Sequence, residues 1–290
     1  MSIEWLYLYV QYTDIILKIS MKVRKTKASM TSKTDQVAGS LNRSLILINA
    51  IARGSRKGSL LTELVIRTNL PRPTIHRVLN MLIEIGWIER DEVSTRFKLG
   101  IELAGIGYTA ITHNPLERIA NVELSKLAEN INQVIYLGVR SGLDTVCIGR
   151  YESQAQIMVG RGWVGMRGPL GMSPSCMGML SRMPILEVEE IVKANIARYH
   201  RIEGFDELGF HRTLGQSIKF GYGIYDNILL DRTTSGLGVA ILDTSGYPIA
   251  SIGTTYITNL VSKDQKRICL EKLHLAASKI SSALFLRSNL

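Results

Sequence analysis

The sequence predicts an α+β chain in two modules, and three observations carry that expectation. Apolar residues recur at helical spacing through residues 40–85 and then alternate at the two-residue spacing of strands. Beyond residue 115, β-branched runs bounded by glycines alternate with further helical stretches. The charge is also uneven: residues 1–100 hold 16 Lys/Arg against 8 Asp/Glu, whereas the remainder holds 19 against 17. A chain of 290 residues is long enough to bury two separate cores.

Residues 1–20 are apolar but interrupted by Glu4, Gln11, Asp14 and Lys18. No uncharged run there approaches the roughly 20 residues that cross a bilayer, so no membrane partner is expected. The absence of a basic leader and of a small-residue cleavage site argues against a signal peptide. The stretch reads as a short helix packing on a partner or as the product of an upstream start codon, with Met21 and Met30 as alternative starts. Lys18, Lys22, Arg24, Lys25, Lys27 and Lys33 follow without an acid among them, the composition of a flexible arm. Residues 1–39 are therefore set apart as an N-terminal extension.

A helix is expected from Ser40, with Leu41, Leu45, Ile48 and Ala52 at helical spacing before Gly54. Ser59 is placed to cap a second helix whose inner positions are Leu61, Leu64, Val65 and Thr68. Pro71 and Pro73 suit the first turn of a third helix, where a missing N–H wastes no bond. In that helix Ile75, Val78, Leu79, Leu82 and Ile83 form the buried stripe, leaving Arg77, Asn80 and Glu84 opposite. Gly86 reads as its C-cap, and residues 87–90 and 96–99 read as strands around a turn at 91–95. Three helices closed by a hairpin make a winged helix-turn-helix, whose third helix lies in the DNA major groove. Basic excess on that same module is the footprint of a polyanion binder, since neutralised phosphates release counterions.

The stretch SLNRSLILINAI…LLTELVIRTNLPRPTIHRVLNMLIEIGWIER…RFKLG resembles the DNA-binding domain of the IclR family of bacterial transcription regulators. The matching features are Thr62-Glu63-Leu64, the Asn69-Leu70-Pro71 turn, then Thr74, Arg77, Leu79 and Leu82 in register, Gly86, and Leu99-Gly100. The resemblance extends over about residues 40 to 288. It implies a winged helix-turn-helix domain at 40–102, a subunit-pairing linker helix at 103–114, and an effector-binding domain at 115–288. That last domain is expected to hold an antiparallel sheet and to resemble the GAF and PAS sensor folds.

The groove-facing candidates are Arg72, Pro73, Thr74, His76, Arg77 and Asn80, with Arg43, Arg96 and Lys98 on phosphates. Arg77 suits either a bidentate guanine contact or a phosphate. The expected partner is double-stranded DNA carrying an inverted repeat, met by a homodimer or by a tetramer.

In the second module, 134–140, 145–151 and 156–160 read as strands and 175–183, 187–194 and 206–220 as helices. Residues 236–243 and 248–256 read as a hairpin, followed by a helix with Cys269, Leu273, Ala276, Ile280 and Leu284 on one face. The segment PLGMSPSCMGML (169–180) corresponds to the family signature entering a helix, whose start offers N–H groups to a carboxylate. It departs from the family at Cys176, where glycine is usual, at Met177, where a basic residue is usual, and at Gly178, where alanine is usual. A second signature survives as residues 221–226, but 227–230 lack its glutamates and Ala240 stands in place of its proline. The resemblance thus implies an effector site at Arg161, Leu170, Met172, Ser173, Cys176, Met177, Asp226 and Leu237. It would be more apolar than the family norm and suited to a small organic or aromatic acid, with Asp226 as the surviving acid. Arg161 and Arg167 flank a glycine-rich loop and suit either a carboxylate clamp or ordinary surface.

Cys147, Cys176 and Cys269 are odd in number and far apart, which fits a reducing, cytoplasmic setting without disulfides or a zinc site. His76, His113, His200, His211 and His274 are dispersed as well, so no metal or cofactor is expected. The competing reading is a small-molecule enzyme or sensor module with a basic interaction domain. Cys176 at a helix start would be its nucleophile, but no histidine shares a motif with it.

Overall fold

The computed structural model describes residues 39–55, 57–154, 160, 162–226 and 233–288. The basic stretch 18–33, Arg161, residues 156–159 of the expected third strand, and 227–230 lie outside the described residues. The chain divides into two compact units at Leu99/Gly100.

In the first unit α1 (Ser40–Ala52), α2 (Leu61–Thr68) and α3 (Arg72–Glu84) enclose Leu47, Ile51, Leu64, Ile75, Val78, Leu79 and Leu82. The inward stripe of α1 differs from the expected one: Leu47 and Ile51 are buried, whereas Leu41 and Leu45 are 73% and 48% exposed. This helix is apolar on more than one side, and only the Leu47/Ile51 side meets its neighbours. The start of α2 also differs. The Leu60 N–H is held by the Glu63 carboxylate at 3.3 Å, while Ser59 accepts from Arg67 Nη1 at 3.0 Å. Asn69 ends α2 in the left-handed region, its N–H bonded to Val65 O at 2.9 Å. Gly86 at φ +72 ends α3, with Trp87 N–H returning to Leu82 O at 2.9 Å. The hairpin β1 (Ile88–Arg90) and β2 (Phe97–Leu99) closes the core with Ile88 and Phe97.

The second unit opens with α4 (Ile101–Thr112), which buries none of its residues. In α5 (Pro115–Ile131) the Asn114 side chain accepts the Leu116 N–H at 3.0 Å, and Pro115 occupies the first turn. Strands β3 (Ile135–Ser141), β4 (Asp144–Tyr151) and β5 (Arg167–Pro169) precede helices α6 (Pro174–Leu180), α7 (Ile185–Tyr199) and α8 (Glu207–Phe220). Then come β6 (Gly223–Asp226), β7 (Thr234–Leu242), β8 (Pro248–Ile257) and α9 (Lys263–Ser288). The strands form one antiparallel sheet in the order β5-β4-β3-β8-β7-β6. Strands β5 and β6 were not anticipated: at 3 and 4 residues they are too short to show alternation.

Helices α5 and α9 cover one sheet face, packing Leu124, Leu273 and Ile280 on Leu137, Val239 and Ile252. On the other face α6 lies beneath α7 and α8, with Met177, Leu180, Ile191, Tyr199 and Phe210 in a second core. The seat of α6 is made of glycine. A Cβ on Gly238 would fall 1.9 Å from Pro174 O, and one on Gly253 would fall 2.7 Å from Ser175 N. Helix backbone therefore rests directly on sheet backbone, leaving no room for side chains between them.

Candidate functional site

Two surfaces follow from this architecture, one in each unit. On α3 the four buried residues Ile75, Val78, Leu79 and Leu82 fix which side points away from the core. The opposite side presents Arg72, Pro73, His76, Arg77 and Asn80, all exposed, with Thr74 half-buried at the edge. Spacing of three to five residues puts these side chains on adjacent turns, at the helix end whose N–H groups favour anions. Among the described residues no carboxylate pairs with Arg72 or Arg77, so both cations stay available to a partner.

The hairpin cations are less free. Arg96 Nη1 donates to Gly58 O at 2.9 Å and lies 3.4 Å from Glu63, which ties the hairpin to the start of α2. The expectation that Arg96 reaches out to phosphates therefore gives way to a structural role. Lys98 sits 3.6 Å from Asp91, a carboxyl held below its usual range by the Ser94 backbone and side-chain hydrogen bonds and then by Lys98. Arg43 is half-buried on α1. Arg90 escaped the sequence reading: it is exposed on β1 with its guanidinium 5.9 Å from the Phe97 ring centroid. Strand alternation would turn it to the face of the buried Ile88 and Phe97, so no pattern in the sequence marks it as exposed.

The effector candidates do not gather in one place. Leu170, Cys176 and Met177 are fully buried in the core under α7 and α8, while Met172 and Ser173 are half-buried beside it. Leu237 belongs to the opposite core against α5 and α9, because alternation along β7 turns Gly236 and Gly238 toward α6 instead. The sheet thus separates Leu237 from Cys176. Asp226 is exposed at the end of β6, and Arg161 lies outside the described residues.

The start of α6, expected to offer N–H groups to a carboxylate, is closed. Ser173 Oγ accepts the Cys176 N–H at 3.3 Å, Ser173 O accepts the Met177 N–H at 3.0 Å, and Ser175 N packs against Gly253. Arg167 is committed too, at 2.6 Å from Asp144, which also meets Arg198 at 2.5 Å. This buried carboxylate between two guanidiniums joins β4, β5 and α7.

Burial pushes the Cys176 thiol up, with the Ser173 hydroxyl 3.0 Å from Sγ acting against it. Cys147 and Cys269 are likewise pushed up to about 11 by burial. Raised thiol pKa values are the opposite of nucleophile activation. Among the described residues no three His, Cys, Asp or Glu side chains are grouped to hold a metal ion. No described helix is long and apolar enough to cross a membrane.

The α6 side of the sheet continues onto β3 and β4. Register pairs Tyr136 with Arg150 and Gly138 with Cys147, and Thr145 lies beside Gly138 on the same face. Gly160 and Gly162 lie against the Tyr136 ring. Tyr136 and Arg150 were missed because no motif marks them. Their alternation within adjacent strands is the one signal present.

A winged helix with an unpaired cationic recognition face, followed by a six-stranded antiparallel-sheet domain, defines a helix-turn-helix transcription regulator. The chain belongs to the IclR family: the IclR helix-turn-helix domain matches residues 40–92, and the bacterial transcriptional regulator IclR C-terminal domain matches residues 108–282. It is similar to the HTH-type transcriptional regulator KdgR of Dickeya chrysanthemi, 26% identical over 237 residues that span 80% of this chain and 76% of that protein. An IclR transcriptional regulator from Alicyclobacillus acidocaldarius shares the fold with a TM-score of 0.71 at 20% identity, over 85% of this chain and 98% of that one. So does an IclR homolog from Microbacterium hydrocarbonoxydans complexed with 4-hydroxybenzoate, with a TM-score of 0.63 at 18% identity, over 84% and 98% of the two chains.

Proposed function

We propose that this regulator is a cytoplasmic homodimer, not an enzyme, that binds an inverted-repeat operator and releases it when a small organic or aromatic acid occupies its second domain. The observation that carries the DNA half is the exposed, unpaired row Arg72, His76 and Arg77 over a fully packed helical core. Arg77 and Arg72 contact bases or phosphates from the start of α3, Thr74 and Asn80 flank them, and Lys98, Arg90 and Arg43 position the hairpin and α1 on the backbone.

Pairing of two subunits is supported by α4, whose Ile101, Ile106 and Tyr108 stay 73%, 54% and 71% exposed in the single chain. The acid is supported by the Arg150 guanidinium, opposed across β3 and β4 to Tyr136, and the relative crystallised with 4-hydroxybenzoate is a precedent in this fold for an aromatic acid. The ligand acts by favouring one of two dimer arrangements whose recognition helices differ in spacing.

The test is binding to the DNA upstream of its own gene, measured across salt concentrations with and without added aromatic acids. A steep salt dependence, preference for that DNA over random duplex, and weakening by an acid are the expected results. Binding indifferent to salt and sequence would sink the DNA reading, and indifference to every acid would sink the ligand reading.

A further inference from the structure

Folded proteins leave few buried hydrogen-bonding atoms without a partner, so two of them on directly opposed residues call for an explanation. Tyr136 Oη and Arg150 Nε are both buried and both unpartnered. They come from directly opposed residues of β3 and β4, which places their Cβ atoms about 5 Å apart on one face. That face is the one carrying Gly138, beside Ser175, and Cys147.

The chemistry of the missing partner follows from the two atoms. An arginine Nε–H can only donate, and a tyrosine hydroxyl donates readily. A group that satisfies both must accept two hydrogen bonds, and the guanidinium charge selects an anion. Nη1 of the same guanidinium is paired with Glu152, so its Nε is the part left for a ligand. The cover is fitted closely: a Cβ on Gly160 would fall 2.1 Å from Tyr136 Oη, and one on Gly162 would fall 2.8 Å from its ring. Cys147, half-buried and held in its neutral thiol form, extends the floor as a small apolar surface.

We propose that Tyr136 and Arg150 are the acid-recognising pair of the effector pocket, seating the carboxylate of a small monocarboxylic acid between the Tyr136 hydroxyl and the Arg150 Nε–H. The apolar body of the acid then lies along Cys147 toward α6. This assignment rests on the ligand-responsive reading above, but it moves recognition away from the start of α6 and onto two strands. It also explains how the pocket works without the basic residue expected at position 177: the positive charge comes from Arg150.

The test uses the full chain, with sodium benzoate and its neutral isostere benzamide as probes in titration calorimetry and thermal melting. Benzoate is expected to bind at least tenfold tighter than benzamide. Arg150→Gln is expected to lose at least tenfold in benzoate affinity and to erase that preference, while operator binding without ligand stays unchanged. Tyr136→Phe is expected to weaken benzoate severalfold, yet to melt at or above the wild-type temperature without ligand, because an unsatisfied hydroxyl has gone. A merely structural tyrosine would instead melt lower.

If Arg150→Gln fails to fold, Arg150→Lys keeps the charge but lacks Nε, and unchanged benzoate affinity there overturns the contact. Wild-type binding of benzoate that both variants retain would overturn the pair while leaving the ligand-responsive reading intact. If benzoate does not bind a wild-type protein that still holds its operator, the pair falls, and the acid reading falls with it only when every acid leaves operator binding unchanged.

Discussion

Helices α3 and α6 each carry a proline in their first turn, yet they are used in opposite ways. Helix α3 buries one stripe and leaves Arg72, His76, Arg77 and Asn80 in solvent. In α6 every residue is buried, its first turn pressed onto sheet glycines and its top covered by α7 and α8. The first is a surface for meeting a partner, whereas the second is a keystone. A proline-led helix start is therefore not a binding site by itself. What decides is whether its N–H groups and neighbouring side chains remain open.

That contrast can be broken by substitution, and the largest effect belongs to the keystone. Gly238→Ala would drive a methyl into Pro174 O, so it is expected to destabilise by about 3 kcal/mol in urea unfolding, at the upper end of overpacking costs. Retention of wild-type stability would mean that α6 shifts freely and that its glycine seat is dispensable. Arg77→Ala on the open helix should do the reverse: an unchanged urea midpoint, with specific operator binding weakened by about 1–3 kcal/mol in a salt-controlled gel-shift titration. A weakening equal on operator and random DNA would reassign Arg77 from bases to phosphates.

A smaller effect comes from pH. Burial holds His211 and His274 below the ordinary 6.5, the first opposed by Glu207 and the second reinforced by Arg182. The unfolded chain then binds more protons than the folded one just below that value. Stability is full above about pH 6.5 and is lost as pH falls toward the folded pKa values. Urea midpoints should decline across that window, and the decline should flatten in a His211→Gln, His274→Gln double variant.

The smallest effect is in the hairpin turn of the first unit, where Thr95 adopts φ +55, a conformation that a β-branched residue enters only under strain. Thr95→Gly should raise the melting temperature of that unit, by about 0.5–1 kcal/mol in stability.

How much of this was legible in the sequence follows from what each residue's neighbours are. The α3 stripe was readable because the helical period alone separates Ile75, Val78, Leu79 and Leu82 from Arg77 and Asn80. The inward side of α1 was not, since Leu41 and Leu45 keep the same period as Leu47 and Ile51 and only the packing partners choose between them. The antiparallel sheet was expected, but β5 and β6 are too short to announce themselves. In the candidate pocket, resemblance pointed to the α6 start, while Ser173, Gly253 and the register of β7 seal that start and turn Leu237 away. Tyr136 and Arg150 meet only through strand pairing, a long-range fact with no local motif.

Helix α4 has one further consequence. A helix of 12 residues is marginal in water, and this one has no fully buried residue within its own chain. If a second subunit supplies the missing cover, its order becomes a matter of mass action. The melting temperature should then climb with protein concentration, visibly so over about a hundredfold range. A curve indifferent to dilution would show that α4 stands without a partner, and would take the pairing proposal with it.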